Sequence, residues 1–187
     1  AWSSEVHKRQ ADAIHLSPDR YVPFTPGKLR IGYVSGVFGN HPVSRCIRGL
    51  LARHDRTRFD VRLYAHNEDD GSQERADLRA ASAILVDIGL LSSREAANKI
   101  RSDGVDILID LDGHDARGRL ELFARRPAPV QVAYSGFVAS TGAAFIDYII
   151  ADEIVFNSAQ SKLFDEQPVF MPGSFFLDTH ILRRINN

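Results

Sequence analysis

The chain has 187 residues, of which 44% are hydrophobic and 25% charged, enough for one domain with a substantial core. Its 23 Lys and Arg residues nearly balance its 24 Asp and Glu residues, so the composition predicts no nucleic-acid partner. No apolar run approaches the roughly 18 residues that span a membrane, which predicts no membrane partner, and the single cysteine excludes an intramolecular disulfide and makes the cytoplasm the default location.

The predicted elements begin with a helix over residues 3–14 and a Pro-rich stretch, so residues 1–27 are assigned to a connecting helix and linker. The main domain is assigned to residues 28–180. Its strands are predicted at 29–35, 59–63, 84–86, 105–111, 128–134 and 145–151, and its helices from 42 onward, at 72–81 and at 92–104. Residues 181–187 follow no clear element and are predicted to begin a connection to a missing lobe.

The alternation of strands and helices predicts an α/β fold with a doubly wound parallel sheet and right-handed crossovers. Near-continuous apolar strands such as residues 107–109 are typical of a sheet that is covered on both faces. Ser92 and Glu95 have the spacing of a capping box and predict the start of the third helix.

Three polar loops follow predicted strands, at residues 35–41, 112–119 and 135–142. The carboxyl ends of parallel strands meet at one edge of the sheet, and open α/β sheets bind ligands in the crevice along that edge. The sequence therefore predicts a ligand site formed by these three loops.

The first loop contains His41 within the sequence Gly-Asn-His-Pro-Val-Ser-Arg at residues 39–45. Because imidazole titrates near neutral pH, His41 is a candidate general base or a hydrogen-bond donor to a ligand oxygen. A histidine at the start of a helix can instead cap backbone groups. Both interpretations stay open at this point.

The second loop contains His114 between Asp112 and Asp115. These residues can form a catalytic pair or part of a metal site, or the acids can hold a turn through Asx hydrogen bonds. Arg119 in the same loop can bind a phosphate or carboxylate, or pair with Glu121.

In order along the chain, the motifs resemble the O-linked N-acetylglucosamine transferase family, in the N-terminal lobe of its catalytic region. The most specific segment is Phe-Ala-Arg-Arg-Pro-Ala-Pro-Val-Gln at 123–131. The other matching segments are Phe-Gly-Asn-His-Pro at 38–42, Asp-Asp-Gly at 69–71, Asp-Gly-Val-Asp-Ile-Leu at 103–108, Thr-Gly-Ala at 141–143, Asp-Tyr-Ile-Ile-Ala-Asp at 147–152 and Met-Pro-Gly-Ser-Phe at 171–175.

The resemblance implies a Rossmann-like lobe of a GT-B enzyme. Members of this family transfer N-acetylglucosamine from UDP-N-acetylglucosamine to Ser or Thr hydroxyls of proteins, invert the anomeric centre and need neither a metal nor another cofactor. Tetratricopeptide repeats usually precede their catalytic region. The UDP-holding lobe lies C-terminal in the family, so the resemblance implies an acceptor-side lobe that is inactive when isolated.

The resemblance also implies site residues. His41 matches a histidine beside the sugar that has been considered for a catalytic role. The predicted substrate-binding residues are Pro42, Val43, His114, Arg119, Ser135 and Gly136, with Pro42 and Val43 in the sugar pocket, Gly136 against the N-acetylglucosamine and Arg119 on the acceptor side.

Three positions depart from the family pattern, and two of these departures, Val37 and the altered third loop, support a second hypothesis. Val37 stands where many relatives have Asp, Ala116 replaces an expected Lys, and Tyr-Ser-Gly-Phe-Val at 134–138 replaces Trp-Leu-Gly-Tyr-Pro. The second hypothesis is a non-catalytic Rossmann-like binding or interaction module derived from such an enzyme. A third, an unrelated nucleotide-dependent enzyme, is disfavoured because the glycines at 32, 36 and 39 do not form a dinucleotide-binding fingerprint.

Overall fold

The computed structural model describes residues 27–82, 84–134, 136, 139–154, 156 and 164–176. The predicted helix at 3–14 and the predicted connection at 181–187 lie outside the described residues. Within these ranges, none of the helices has the length and apolarity needed to cross a bilayer.

Seven strands form one sheet in which every neighbouring pair is parallel. The order across the sheet is β3-β2-β1-β4-β5-β6-β7, so the chain reverses its direction of winding between β1 and β4. This doubly wound topology confirms the predicted α/β fold. The strands are β1 Leu29–Ser35, β2 Phe59–Ala65, β3 Ile84–Asp87, β4 Ile107–Asp110, β5 Val130–Ala133, β6 Tyr148–Ala151 and β7 Gln167–Phe170.

Four helices are described: α1 Pro42–Arg53, α2 Gln73–Ser82, α3 Ser93–Ser102 and the single turn α4 Leu120–Phe123. The capping box predicted at the start of α3 is confirmed, because Ser92 accepts a hydrogen bond from the Glu95 N–H while Glu95 accepts one from the Ser92 N–H. Ser72 likewise caps α2 by accepting the Arg75 N–H at 3.2 Å.

The core lies on both faces of the sheet. On one face Leu108 packs with Ile100 of α3, and on the other face Leu63 packs with Ile47 of α1. Adjacent residues of a strand point to opposite faces, so apolar residues at consecutive positions allow a strand to bury both sides. The continuous apolar sequence of β4 is thereby explained.

The sequence did not predict β7 or the single turn α4, and the observed β4, β5 and β6 are shorter than predicted. β7 reads Gln-Pro-Val-Phe, and Pro168 removes a backbone donor, which argues against a strand inside a sheet. The structure places β7 at the edge, beside β6 alone, where a proline is tolerated. The sequence did not predict β7 because the rule against a proline in a strand applies to the interior of a sheet, and the sequence does not show which strand lies at the edge.

Gly104 ends α3 with φ +68, a left-handed conformation that side chains rarely adopt, and an added Cβ would lie 2.2 Å from Arg30 Nη1. Gly71 has almost the same φ, +66, but nothing lies within 4 Å of an added Cβ. We expect Gly71→Ala to cost about 1 kcal/mol of unfolding free energy through backbone strain alone. Gly104→Ala should cost about 1 kcal/mol more, because Arg30 must release the Gly104 carbonyl. Urea denaturation measures both, and equal losses would contradict the close approach.

Candidate functional site

The three predicted loops are joined to one another at the carboxyl edge of the sheet. The first and second loops are linked because the Gly36 N–H donates to Asp112 Oδ2 at 2.7 Å. The third loop is linked to the start of the second, because the Gly136 N–H donates at 3.1 Å to the carbonyl of Leu111, the residue before the second loop. The loops thus adjoin across the ends of β1, β4 and β5, at the point where the winding reverses, which is the usual ligand position in open α/β sheets.

The first loop, residues 35–41, is fixed by hydrogen bonds to its backbone. Ser44 of α1 accepts the Gly39 N–H at 3.1 Å and donates to the Val37 carbonyl at 2.7 Å. The Phe38 side chain below the loop is fully buried. The loop therefore presents His41 from a position held by both polar and apolar contacts.

His41 is the N-cap of α1, with extended backbone angles of φ −142 and ψ 147. Its Nδ1 accepts a hydrogen bond from the Val43 N–H at 3.3 Å, and Pro42 occupies the first turn, where a missing N–H is tolerated. Because a backbone N–H only donates, Nδ1 is the unprotonated nitrogen and neutral His41 carries its proton on Nε2. Capping is therefore observed, and a role toward substrate stays a prediction.

The buried carboxylate of Asp112 connects the ends of three strands. Its Oδ1 accepts the Ser35 hydroxyl at 2.7 Å, and its Oδ2 accepts the Gly36 N–H and lies 3.2 Å from His66 Nε2. The sequence left a pairing of Asp112 with His114 open as one alternative, and the histidine beside Asp112 in the structure is His66. His66 was not predicted as a site residue. It directly follows β2, and polar residues after a strand are the feature that indicated the three loops.

His114 instead ties the second loop to the third, by donating from Nε2 to the Thr141 carbonyl at 2.7 Å. The Thr141 N–H donates to the buried carboxylate of Glu166 at 2.7 Å, which anchors the third loop from the other side. Asp115 accepts the Arg117 N–H at 3.0 Å in an Asx turn. The structural interpretation of this loop is therefore confirmed for Asp115.

Three of the remaining predicted substrate-binding positions, Pro42, Val43 and Gly136, are described and lie next to the first and second loops. An added Cβ at Gly136 would lie 2.0 Å from the Leu111 carbonyl oxygen, so only glycine lets the third loop approach the second this closely. Pro42 is exposed and Val43 is half-buried against the core. Ser135 lies outside the described residues. Sugar-binding roles at all four positions stay predictions.

The guanidinium of Arg119 is engaged by the protein itself. Nη1 donates to the Ile88 carbonyl at 3.1 Å and Nη2 to the Leu91 carbonyl at 2.9 Å. Nε lies 3.9 Å from the Glu121 carboxylate, and the side chain is 16% exposed. Arg119 thus fixes the turn before α3 through backbone carbonyls, which the sequence did not predict, and a ligand role for it stays a prediction.

Asp110 adds a second buried carboxyl group beneath the crevice. It accepts the N–H groups of Asp112 at 3.1 Å and Gly113 at 3.0 Å. Burial, followed by the neighbouring charge of Asp112, raises the pKa of Asp110 to about 7. Among the described residues, no group of three or more His, Cys, Asp or Glu side chains could hold a metal ion, and metal independence stays a prediction.

Comparisons with known proteins give a consistent family. The chain matches the model of glycosyl transferase family 41 over residues 7–185. It is 40% identical over 166 residues to UDP-N-acetylglucosamine--peptide N-acetylglucosaminyltransferase of Caenorhabditis elegans, across 88% of this chain and 14% of that protein. It is 37% identical over 153 residues to the Arabidopsis thaliana protein named "Probable UDP-N-acetylglucosamine--peptide N-acetylglucosaminyltransferase SEC", across 82% and 16% respectively. The chain thus spans less than a fifth of the length of these relatives.

The fold is also that of a solved relative. A mutant of Thermobaculum terrenum O-GlcNAc transferase superposes with a TM-score of 0.81 and 34% identity, over 93% of this chain and 34% of that chain. The predicted Rossmann-like lobe of GT-B type is therefore confirmed.

The raised pKa of Asp110 predicts a specific pH dependence of stability. The unfolded carboxyl loses its proton near 3.8 and the folded carboxyl near about 7, so the folded protein binds the extra proton between these values. The stabilising contribution is complete below the unfolded pKa and is lost as pH rises through the folded pKa. We expect the unfolding free energy of the wild type to fall relative to that of Asp110→Asn between about pH 4 and about pH 7.

Urea denaturation across this pH range measures the difference. Asp165→Asn, which removes an exposed carboxyl group, serves as the matched control and should parallel the wild type. Parallel curves for wild type and Asp110→Asn would show that the carboxyl is ionised in the folded state at acidic pH.

Proposed function

The chain belongs to glycosyl transferase family 41, and we propose that it forms the acceptor-side lobe of an inverting protein O-glycosyltransferase. In this proposal the whole enzyme moves N-acetylglucosamine from UDP-N-acetylglucosamine to Ser or Thr hydroxyls of a protein or peptide. The observation that carries the proposal is a hydrogen-bonded loop that holds His41 at the carboxyl edge of a sheet shared with O-GlcNAc transferase. The names of the similar proteins support the same donor and acceptor.

Direct displacement requires an acceptor hydroxyl held in line, a hydrogen-bonding environment for its proton and stabilisation of the departing diphosphate. We assign the first two tasks to the crevice described here. The buried carboxylate of Asp112 lies beneath the crevice, and a like charge in a low-dielectric interior disfavours a neighbouring diphosphate. The proposal therefore places most diphosphate contacts in a second, C-terminal lobe.

The tautomer of His41 distinguishes between its two possible chemical roles. Nδ1 is engaged by the Val43 N–H, so the outward-directed chemistry of the neutral ring is donation from Nε2. We therefore assign His41 as a hydrogen-bond donor to a substrate oxygen rather than as the general base. In that role it orients the substrate and stabilises charge that develops on the oxygen.

The proposal includes features that rest on the family resemblance. Transfer proceeds without a metal or other cofactor, tetratricopeptide repeats precede the catalytic region, and the protein acts in the cytoplasm.

A non-catalytic module derived from such an enzyme is the second candidate, favoured by Val37. This side chain is 5% exposed within the first loop, so the carboxylate that the resemblance places there is absent. A binding module needs the crevice but not the His41 donor, so transfer by the wild-type protein with both lobes separates the two candidates.

His41→Asn separates helix capping from chemistry. Asparagine is a strong N-cap residue, so the unfolding free energy should stay within about 0.5 kcal/mol of the wild type, whereas His41→Ala should lose about 1 kcal/mol. The activity test uses the two-lobed transferase, which is the protein that contains both this lobe and the proposed C-terminal lobe. There we expect both variants to lower peptide glycosylation by at least about tenfold, because neither side chain reaches the position of Nε2. Wild-type turnover in a stable His41→Asn protein would remove His41 from the mechanism, whereas a wild type that binds substrate without transfer would support the binding module.

The division between lobes predicts that the 187 residues bind nucleotide weakly. Calorimetric titration of this chain with UDP and UDP-N-acetylglucosamine should give no heat of binding up to about 1 mM, and incubation with donor and peptide should give no transfer. The two-lobed transferase is the positive control under the same conditions. Micromolar binding or turnover by the 187 residues would mean that the nucleotide site lies within them.

A further inference from the structure

Arg75, near the start of α2, is an unusual residue for a protein interior. It is 1% exposed and is among the largest fully buried side chains of the described part. Its Nη1 donates to the Phe38 carbonyl at 2.7 Å, and its Nε lies 3.5 Å from an Asp69 carboxylate oxygen. Among the described residues, Nε and Nη2 have no hydrogen-bond partner.

This arrangement is costly if stability is its only purpose. A buried guanidinium loses its hydration, and each N–H without a partner adds to that loss. The carboxylate that accompanies Arg75 is not buried, since the Asp69 side chain is 46% exposed. An apolar side chain of similar volume would fill the same space without the desolvation, so the guanidinium needs another explanation.

The group that Arg75 holds belongs to the first loop of the candidate site. The Phe38 carbonyl accepts a second hydrogen bond, from Asn67 Nδ2 at 2.9 Å. Asp70 accepts the Asn40 N–H at 2.8 Å and lies in the same β2–α2 segment. Residues 67–75 therefore hold the Phe38–Gly39 and Gly39–Asn40 peptide groups, which precede the peptide that enters His41, although their partners lie 29 to 37 positions away in sequence.

These contacts set the orientation of the His41 backbone. The Gly39 carbonyl accepts the His41 N–H at 2.7 Å and belongs to the same peptide group as the Asn40 N–H that Asp70 holds. The Phe38 carbonyl belongs to the peptide group before it, so a rotation of either peptide would shift the backbone that leads into His41. The hydrogen bond from Val43 to Nδ1, which determines the tautomer, depends on the position of that backbone.

We propose that Arg75 is a positioning residue, which fixes the first loop through the Phe38 carbonyl so that His41 presents its Nε2–H into the crevice. The inference rests on the proposed function for its catalytic consequence, but its structural half is independent of any activity. Arg75 acts through His41 and does not touch substrate.

The first test is the tautomer of His41, read from the ring ¹⁵N chemical shifts of this chain at about pH 8, where imidazole is neutral. Arg75→Met keeps the length of the side chain and removes the donors. Arg79→Met is the matched control. Arg79 lies one turn later on α2 and also pairs with Asp69 at 2.8 Å, but among the described residues it makes no hydrogen bond or ion pair with the first loop. Arg75→Lys restores one donor and the charge.

In the wild type and in Arg79→Met we expect a protonated Nε2 and an unprotonated Nδ1. In Arg75→Met the two nitrogen shifts should converge as the tautomers interchange, and hydrogen exchange at Asn40 and Val43 should accelerate at least about tenfold. Arg75→Lys should recover part of both signals. If Arg75→Met does not fold, Asn67→Ala removes the other donor to the same carbonyl and is measured instead. A wild-type tautomer and unchanged exchange in the folded variant would overturn the proposal.

The second test uses the two-lobed transferase and a double-mutant cycle. Arg75→Met alone should lower kcat for peptide glycosylation at least about tenfold and change KM less, since the loop orients a group used in the transition state. In the His41→Asn background the same change should have no further effect on kcat. Additive losses would overturn an action through His41. Absence of transfer by the wild type would defeat the proposed function alone, because the tautomer measurement would still decide the role of Arg75.

Discussion

The carboxylate of Asp112 is the interaction on which the candidate site depends. It accepts hydrogen bonds from Ser35 and Gly36 at the end of β1, contacts His66 at the end of β2 and itself follows β4. The winding reverses between β1 and β4, which are paired neighbours, so the loops that follow them diverge and need a contact that holds them together. A buried carboxylate with several donors supplies such a contact, because leaving any of these groups unpaired would be costly.

Further side chains hold the loops that lie next to Asp112. The first loop is fixed further by Ser44 and Arg75, and the third loop by His114 and Glu166. Each of these side chains makes at least one hydrogen bond to a backbone group of a loop, and we expect the loops to need little reorganisation when a ligand enters. Preorganised loops are valuable for a displacement reaction, because small errors in the position of the reacting groups lower the rate strongly. The hydrogen bonds that hold these loops are consistent with the proposed acceptor-side role.

His41 shows how one side chain can serve structure and chemistry together. Capping uses Nδ1 and leaves the proton on Nε2, so the structural role selects the chemical one. The sequence analysis treated capping and catalysis as alternatives. The geometry makes them compatible, and it favours a donor over a base.

The sequence by itself determined the elements that depend on nearby residues. The strands β1 to β6, the three longer helices and the capping box at Ser92 follow from side-chain periodicity and caps within a few positions. The sequence motifs also indicated the family and the three loops at one sheet edge. Tertiary structure alone decided that Asp112 pairs with His66, 46 positions away, rather than with His114, that Arg119 and Arg75 bind backbone carbonyls, and that a strand containing Pro168 forms the sheet edge. The physical reason is that a side chain bonds to whatever the fold places within about 3 Å of it, and partners distant in sequence leave no periodic signal in the chain.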